Sequence, residues 1–210
     1  MDHLEVFCAD VGSVKKGKFG WASCQWAGDR AFAECGGSDI DRLIEAIVRS
    51  LNQEPKVALG FECPLFAPIH DNCNDLTSKR KGEGDRPWSA GAGVASMGIG
   101  LVEATWLLSK TKESSRRSVE PFVDWEDFRA ADSGLFLWEA FVSGKSKGSN
   151  HVEDAKRAVK AFTDSLPNPQ LKNAVSDETK VISLIGASLL RSGWTTSINI
   201  LSRPCIVIKA

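Results

Sequence analysis

Residues 7–23, FCADVGSVKKGKFGWAS, decide the fold prediction for this chain. An apolar run ends at Asp10, Gly12 follows, and a second apolar run opens at Phe19 after a lysine-rich loop. Apolar runs separated by turn residues predict two β-strands joined by a turn. Asp10 is then either an ordinary turn aspartate or the first ligand of a metal site, and the choice depends on whether other carboxylates are placed to meet it.

The sequence on both sides of this stretch alternates between strand-like and helix-like patterns. Short apolar runs bounded by turn residues predict strands, and apolar residues that recur every three or four positions predict helices. Ser38 is the expected N-cap of the first helix. The predicted elements are strands at 4–9, 19–27 and 30–35, a helix at 38–51, a strand that stops at Pro64, a helix at 87–108, a strand at 134–144, helices at 149–162 and 176–193, and a strand at 204–210.

This order predicts an α/β fold. Three strands joined by tight turns form an antiparallel meander, whereas strands that alternate with helices pair in parallel and need helices on both faces of the sheet. We therefore expect a mixed sheet of five to six strands. The chain is interpreted as a single domain, 1–210, with an inserted loop and helix region at about 67–132.

Composition sets limits on the class of protein. The chain has 210 residues, 42% of them hydrophobic and 25% charged, with a net charge of −1, which is typical of a soluble globular protein without a global basic field. Its six cysteines include no CxxC pair, and the N-terminus MDHLEV lacks the pattern of a secretory signal. No apolar stretch is expected to be as long as a membrane span. These features indicate a reduced, cytoplasmic protein.

Three acids stand where the predicted fold would bring them together. Asp10 ends the first predicted strand and Glu62 ends the fourth, so the two carboxylates meet at one edge if these strands are adjacent and parallel. His151 and Asp154 lie three residues apart on one helical face, which Ala155 and its apolar successors continue towards the sheet. An aspartate turned to the core needs a partner or a cation, although Asp154 could also simply complement the helix dipole.

These motifs resemble those of ribonuclease H-like nucleases. ADVGSVKKGKFGWA is similar to the Asp-x-Gly motif after their first strand, and NHVEDA looks like the His-x-x-Asp-Ala helix start of RuvC-type resolvases. Glu62 is similar in position to the glutamate of those proteins. Pro64 and Leu65 follow it as in an uncharacterised branch of predicted nucleases. The resemblance covers most of the chain, and it implies a ribonuclease H-like fold.

The same resemblance implies an activity and its residues. It implies a divalent-metal-dependent nuclease or phosphodiesterase that hydrolyses DNA or RNA by a two-metal mechanism, with Mg²⁺ or Mn²⁺ held by Asp10, Glu62 and Asp154. His151 would orient water or substrate, and Glu139 is a candidate fourth metal ligand. Because resolvases of this kind are often dimers, a homodimer is also expected.

Basic residues flank the predicted site and are candidate substrate-binding residues. Lys15 and Lys16 follow Asp10, and Arg80 and Arg86 lie in the polar loop that leads to the second predicted helix. Local basic clusters of this kind can contact a phosphate backbone in a protein without net positive charge.

Two other functions remain open at this stage. One is a binding or scaffold protein that keeps the fold without catalysis, which agrees with the near-neutral charge and the long polar insertion. The other is an ATPase or kinase-like protein of the same fold, which normally has two such domains and so needs more than 210 residues.

Overall fold

The computed structural model describes residues 3–28, 30–175 and 180–210. The strands are β1 (His3–Asp10), β2 (Gly20–Ala27), β3 (Arg30–Gly37), β4 (Lys56–Phe61), β5 (Phe66–Pro68), β6 (Pro121–Phe122), β7 (Gly134–Phe141), β8 (Val181–Ser183) and β9 (Val207–Lys209). The helices are α1 (Ile40–Gln53), α2 (Gly91–Ser114), α3 (Trp125–Ala130), α4 (His151–Ser165) and α5 (Leu184–Arg191). Short 3-10 turns lie between several of these elements.

The described strands form one mixed seven-stranded sheet and one small two-stranded sheet. In the large sheet the order is β3-β2-β1-β4-β7-β6, and β9 also pairs with β7. β1, β2 and β3 are antiparallel, whereas β4, β6, β7 and β9 join in parallel. The predicted mixed α/β sheet is therefore confirmed, and the seventh strand is the short β6, which the sequence analysis did not predict.

Helices cover both faces of this sheet, as expected. Along β1 the side chains alternate, so Phe7 packs into one apolar core and Val6 into the other. The first core contains the buried faces of α1, α2 and α5, and the second contains those of α3 and α4. The carboxyl ends of β1, β4 and β7 consequently lie between two helical layers.

The structure corrects two details of the element predictions. The N-cap of α1 is Asp39 rather than Ser38, because the Asp39 side chain accepts hydrogen bonds from the amides of Asp41 and Arg42. The helix predicted over 176–193 begins only at Leu184, since the residues before it pair with β5 as β8. Residues 176–179 of that prediction lie outside the described part of the chain.

Helix α2 corrects the expectation that no apolar stretch reaches the length of a membrane span. By length and composition alone it is long and apolar enough to cross a membrane, and 22% of its most apolar window is buried in the protein. A single helix of this kind is weak evidence of a membrane span, and α2 contributes Ala104, Leu107 and Leu108 to the first core.

The aromatic cluster under α4 generates a stability prediction. Phe162 is fully buried, with its ring centroid 4.5 Å from that of Trp138 and 5.9 Å from that of Trp125. Phe162→Ala should lower the free energy of unfolding by about 3–5 kcal/mol, because the cavity cannot refill. Urea denaturation measures this, with Phe32→Ala as the matched control, since Phe32 is 42% exposed on β3. Similar losses in both variants would contradict the packing described.

Candidate functional site

The parallel pairing of β1 with β4 brings Asp10 and Glu62 to the same edge of the sheet. Ala9 is opposite Phe61 in the register, and the amide of Glu62 donates to the carbonyl of Ala9 at 2.8 Å. Asp10 follows Ala9 and Glu62 follows Phe61, so the two acids lie side by side. Asp10 is buried, at 2% exposure. The predicted adjacency of the first and fourth strands is confirmed.

Helix α4 places His151 against Asp10. His151 Nδ1 lies 2.7 Å from Asp10 Oδ2, across 141 residues of chain. The approach depends on Gly20, which is opposite Asp10 in the register, since a Cβ atom there would lie 2.4 Å from the carbonyl carbon of His151. A larger residue at Gly20 would displace the start of α4 and the histidine with it.

Asp154 lies one turn further along α4 and is also buried. Its side chain accepts hydrogen bonds from the amide of Gly148 and from Lys147 Nζ, the latter at 3.3 Å. The N-terminus of α4 is capped by Asn150, whose side chain accepts from the amide of Glu153 at 3.0 Å. Because Asn150 already caps the helix and Asp154 is 4% exposed, Asp154 does more than complement the helix dipole at the surface.

The pKa values of these groups report a concentration of negative charge. Burial, the charge of Asp10 and a hydrogen bond to Asp10 raise the pKa of Glu62 to about 9, against the opposing effects of Lys147 and the Val142 amide. Burial likewise raises the pKa of Asp10, although His151 opposes the shift. Burial would lower the pKa of Lys147, but the charges of Glu62, Asp154 and Asp10 raise it. The ammonium group of Lys147 thus partly neutralises three carboxyl groups.

Glu103 is a fourth acid at this edge, and the sequence analysis did not identify it. Its Oε2 accepts from the amide of Gly12 at 3.1 Å, and burial followed by the nearby charge of Asp10 raises its pKa to about 7. α2 comes close enough because Gly100 lacks a side chain, since a Cβ atom there would lie 2.2 Å from Cys63 Sγ. The available signal was that Glu103 is the lone charged residue between positions 87 and 109.

Glu139 and Arg80 form a buried ion pair, which does not fit their expected roles as metal ligand and phosphate contact. Two guanidinium nitrogens of Arg80 lie 2.8 and 2.6 Å from the two carboxylate oxygens of Glu139. Arg80 also binds Glu83, at 2.7 Å, and both acids and the arginine are at most 2% exposed. Alternation along β7 explains the difference, because Glu139 follows Leu135 and Leu137 onto the face opposite that of Asp10.

The remaining predicted basic residues are exposed. Lys15 and Lys16 lie in the 3-10 turn Val14–Lys16 that follows Asp10. Arg86 lines a cavity of about 150 Å³ that also contains Glu62 and Lys147 in its wall. Of the predicted substrate-binding residues, Arg86 is therefore the one that shares a cavity with a residue of the carboxylate cluster.

The donor set fits a divalent cation in its chemistry, although it does not form a ready-made cage. Carboxylate oxygens are the ligands that Mg²⁺ and Mn²⁺ prefer. Burial is the main cause of the raised pKa values of Asp10 and Glu62, and a bound cation would stabilise the charged carboxylates against this cost of burial. Within residues 3–28, 30–175 and 180–210, however, no group of three or more His, Cys, Asp or Glu side chains is placed to hold a metal ion. A cation would have to draw the carboxylates together and compete with Lys147.

The Arg80–Glu139 pair predicts a large effect on stability. Glu139→Gln should lower the free energy of unfolding by about 3–5 kcal/mol, because it leaves a buried guanidinium with only one charged partner. Glu113→Gln is the matched control, since the Lys110–Glu113 pair is exposed and should contribute less than about 1 kcal/mol. Urea denaturation compares the two, and equal small effects would show that Glu139 is not buried against Arg80.

The raised pKa of Glu62 predicts how stability depends on pH without metal. The folded protein holds this proton more tightly than the unfolded chain, so the stabilisation is present below about pH 4.5 and is lost as pH rises to about 9. Between pH 6 and pH 8.5 in EDTA, the stability of Glu62→Gln relative to wild type should rise by about 1 kcal/mol or more.

Thermal or urea unfolding at the two pH values measures this difference. Glu45→Gln, which removes an exposed acid paired with Arg42, should follow the wild-type pH profile. The stability of the Glu62→Gln variant should still fall slightly as pH rises, because the pKa of Glu103 is also raised, to about 7. A Glu62→Gln profile parallel to wild type would contradict the raised pKa.

Comparison with protein-family models, with curated proteins and with solved structures finds no match for this chain. The carboxylate cluster and the strand order are therefore the observations on which a functional assignment can rest. Kinship with ribonuclease H-like nucleases stays a prediction drawn from the motifs around Asp10, Glu62 and Asp154.

Proposed function

We propose that this chain is a divalent-metal-dependent nuclease or related phosphodiesterase of ribonuclease H-like fold, which acts on DNA or RNA in the cytoplasm. The adjacency of Asp10 and Glu62 at the carboxyl edge of the parallel strands carries the proposal, together with Lys147, whose charge interacts with both of these acids and with Asp154. The sheet order, with three antiparallel strands followed by parallel β4 and β7, supports the fold assignment. The homodimer is also part of this proposal, and it rests on the resemblance to RuvC-type resolvases.

The metal ion, Mg²⁺ or Mn²⁺, would be held by Asp10, Glu62 and Asp154. Glu103 lies nearby and accepts a hydrogen bond from the amide of Gly12. Bound divalent ions supply an activated water and stabilise the leaving oxygen of a phosphodiester. His151 orients the Asp10 carboxylate through the contact at 2.7 Å. Lys15, Lys16 and Arg86 are exposed and would meet the phosphate backbone.

Lys147 favours a second candidate, a binding protein without catalysis. Its ammonium group already supplies positive charge to three carboxyl groups, and the described side chains include no preformed three-donor metal group. In such a protein Lys147 would take the place of the ion. The two candidates differ in whether the carboxylate cluster binds a divalent cation.

Calorimetric titration with Mn²⁺ tests the proposal. We expect wild type to bind with a dissociation constant in the micromolar to millimolar range, and Asp10→Asn and Asp154→Asn to weaken binding at least about tenfold, because each removes a charged ligand. Asp164→Asn is the matched control, since Asp164 is an exposed acid of α4 paired with Lys160. It should bind Mn²⁺ like wild type.

Circular dichroism establishes that each variant is folded before its binding is interpreted. Mn²⁺-dependent cleavage of DNA and RNA oligonucleotides should then follow the same pattern, lost in Asp10→Asn and kept in Asp164→Asn. Cleavage that survives in both folded site variants would refute the proposed nuclease. A wild type that binds no Mn²⁺ and cleaves nothing would favour the binding protein with Lys147 as its cation.

A further inference from the structure

Beside the carboxylate cluster lies a cavity of about 150 Å³ that the proposed activity has not used. Its wall includes Glu62 and Lys147 from the cluster, Arg86 and Trp88 from the loop before α2, and Ala92 from the first turn of α2. We propose that this cavity binds one unpaired base of a single-stranded nucleic acid, next to the bond to be cut. The placement of this base beside the bond to be cut rests on the proposed function, whereas the binding of a single strand in the cavity does not depend on it.

Trp88 has the properties of a fixed stacking platform. Its backbone amide donates to Glu83 Oε1 at 2.8 Å, and its indole Nε1 donates to the carbonyl of Ser78 at 3.0 Å. Both polar hydrogens are therefore used within the protein, which leaves the ring face as the surface that a ligand can contact. Stacking on an aromatic face suits every base, because each base has a π-face.

The platform is held rigidly by the buried ion-pair network. Glu83, which receives the Trp88 amide, also binds Arg80, and Arg80 binds Glu139 on β7. Arg80 lies over the ring of Phe66, with 4.6 Å between the guanidinium carbon and the ring centroid. Arg80 and Glu139 are thus positioning residues, which act on the cavity through Glu83 and Trp88 rather than by touching a ligand.

The charges around the cavity match a nucleotide. Its wall contains two cations, Arg86 and Lys147, and two acids, Glu62 and Glu83, of which Glu83 is already paired with Arg80. The backbone phosphates of a nucleic acid carry the charge that complements the two cations. Lys147 also contacts Asp154 at 3.3 Å, so a phosphate held by Lys147 would lie beside the carboxylate cluster. Stacking and phosphate contacts together are the means by which proteins bind single strands without reading their sequence.

The size of the cavity selects an unpaired base. A cavity of about 150 Å³ accommodates a single aromatic ring system such as benzene, and a base pair is far larger. Inside a duplex, the faces of a base are covered by its neighbours, so a base reaches such a pocket only when it is single-stranded or flipped out. The ligand class is therefore a single strand, of DNA or RNA, rather than a continuous duplex.

Fluorescence anisotropy with labelled oligonucleotides tests this inference in EDTA, where no cleavage occurs and no metal is needed. The probes are a short oligothymidylate, the corresponding oligouridylate and the oligothymidylate paired with its complement. Trp88→Ala should weaken binding of the single strands about tenfold, whereas Trp88→Phe should retain most of the affinity because it keeps an aromatic face. Trp106→Ala is the matched control, since Trp106 is 41% exposed on α2 and does not line the cavity.

We expect the wild type to bind single strands more tightly than the duplex, and the Trp106 variant to bind like wild type. Undetectable binding of both single strands, unchanged affinity in Trp88→Ala, or equal losses in the Trp88→Ala and Trp88→Phe variants would overturn the inference. Circular dichroism of all variants excludes unfolding as the cause of a loss.

Failure of this inference and failure of the proposed nuclease give different results. If wild type binds Mn²⁺ but Trp88→Ala leaves the anisotropy titration unchanged, the nucleotide subsite is wrong and the metal site stands. If wild type binds no Mn²⁺ and cleaves nothing, yet single-strand binding depends on Trp88, the nuclease is refuted and the cavity remains a single-strand binding site.

Discussion

The parallel ladder between β1 and β4 is the constraint on which the rest of the site depends. It fixes Ala9 opposite Phe61, so the acids that follow these residues must lie side by side in a region that the helical layers close off from water. A one-residue slip of the register would move one of them to the other face of the sheet. The neighbouring residues interact with these two acids. His151 contacts Asp10, the charge of Lys147 interacts with both acids, and Glu103 lies near Asp10 and accepts from the amide of Gly12.

The contacts at the carboxyl ends of β1 and β4 are mainly those that compensate buried carboxyl groups. Buried carboxylates are unfavourable unless protons, cations or hydrogen-bond donors compensate them. Here Glu62 retains a proton up to about pH 9, Lys147 contributes an ammonium group, and the amides of Gly12 and Gly148 donate to Glu103 and Asp154. On the other face of the sheet, Glu139 is compensated by Arg80 at bidentate distance and by the amide of Leu65, which donates to it at 2.8 Å. These two buried acidic sites therefore differ, because Arg80 pairs fully with Glu139 whereas Lys147 shares one positive charge among Asp10, Glu62 and Asp154.

The sequence predicted the sheet and the pairing of Asp10 with Glu62 because both depend on local patterns. Strand-like runs, the turn after Asp10 and the rule for carboxyl ends of parallel strands were sufficient. Asp154 and His151 followed from helical spacing. Predicting the positions of these side chains required no information on distant contacts beyond the order of the strands.

The contacts that the sequence analysis did not predict join residues that are far apart in the chain. Arg80 lies 59 residues from Glu139 in a loop without periodicity, so no pattern linked the two. Glu103 stands in a helix that is apolar on most of its surface, where periodicity does not tell which side faces the sheet. Alternation along β7 could have placed Glu139 on the face opposite Asp10, since that inference needs only the strand and its first apolar residues.

The spacing of the four clustered acids has a consequence for the folding of the whole chain. They come from positions 10, 62, 103 and 154, so no fragment shorter than residues 10–154 contains the site, and it exists only after distant segments have met. Contacts of this kind are made late and slowly, because long loops must close first. A ligand that binds the assembled cluster stabilises the native state as a unit by mass action. Occupancy of this edge would accordingly slow amide hydrogen exchange throughout the central strands, and not only beside the carboxylates.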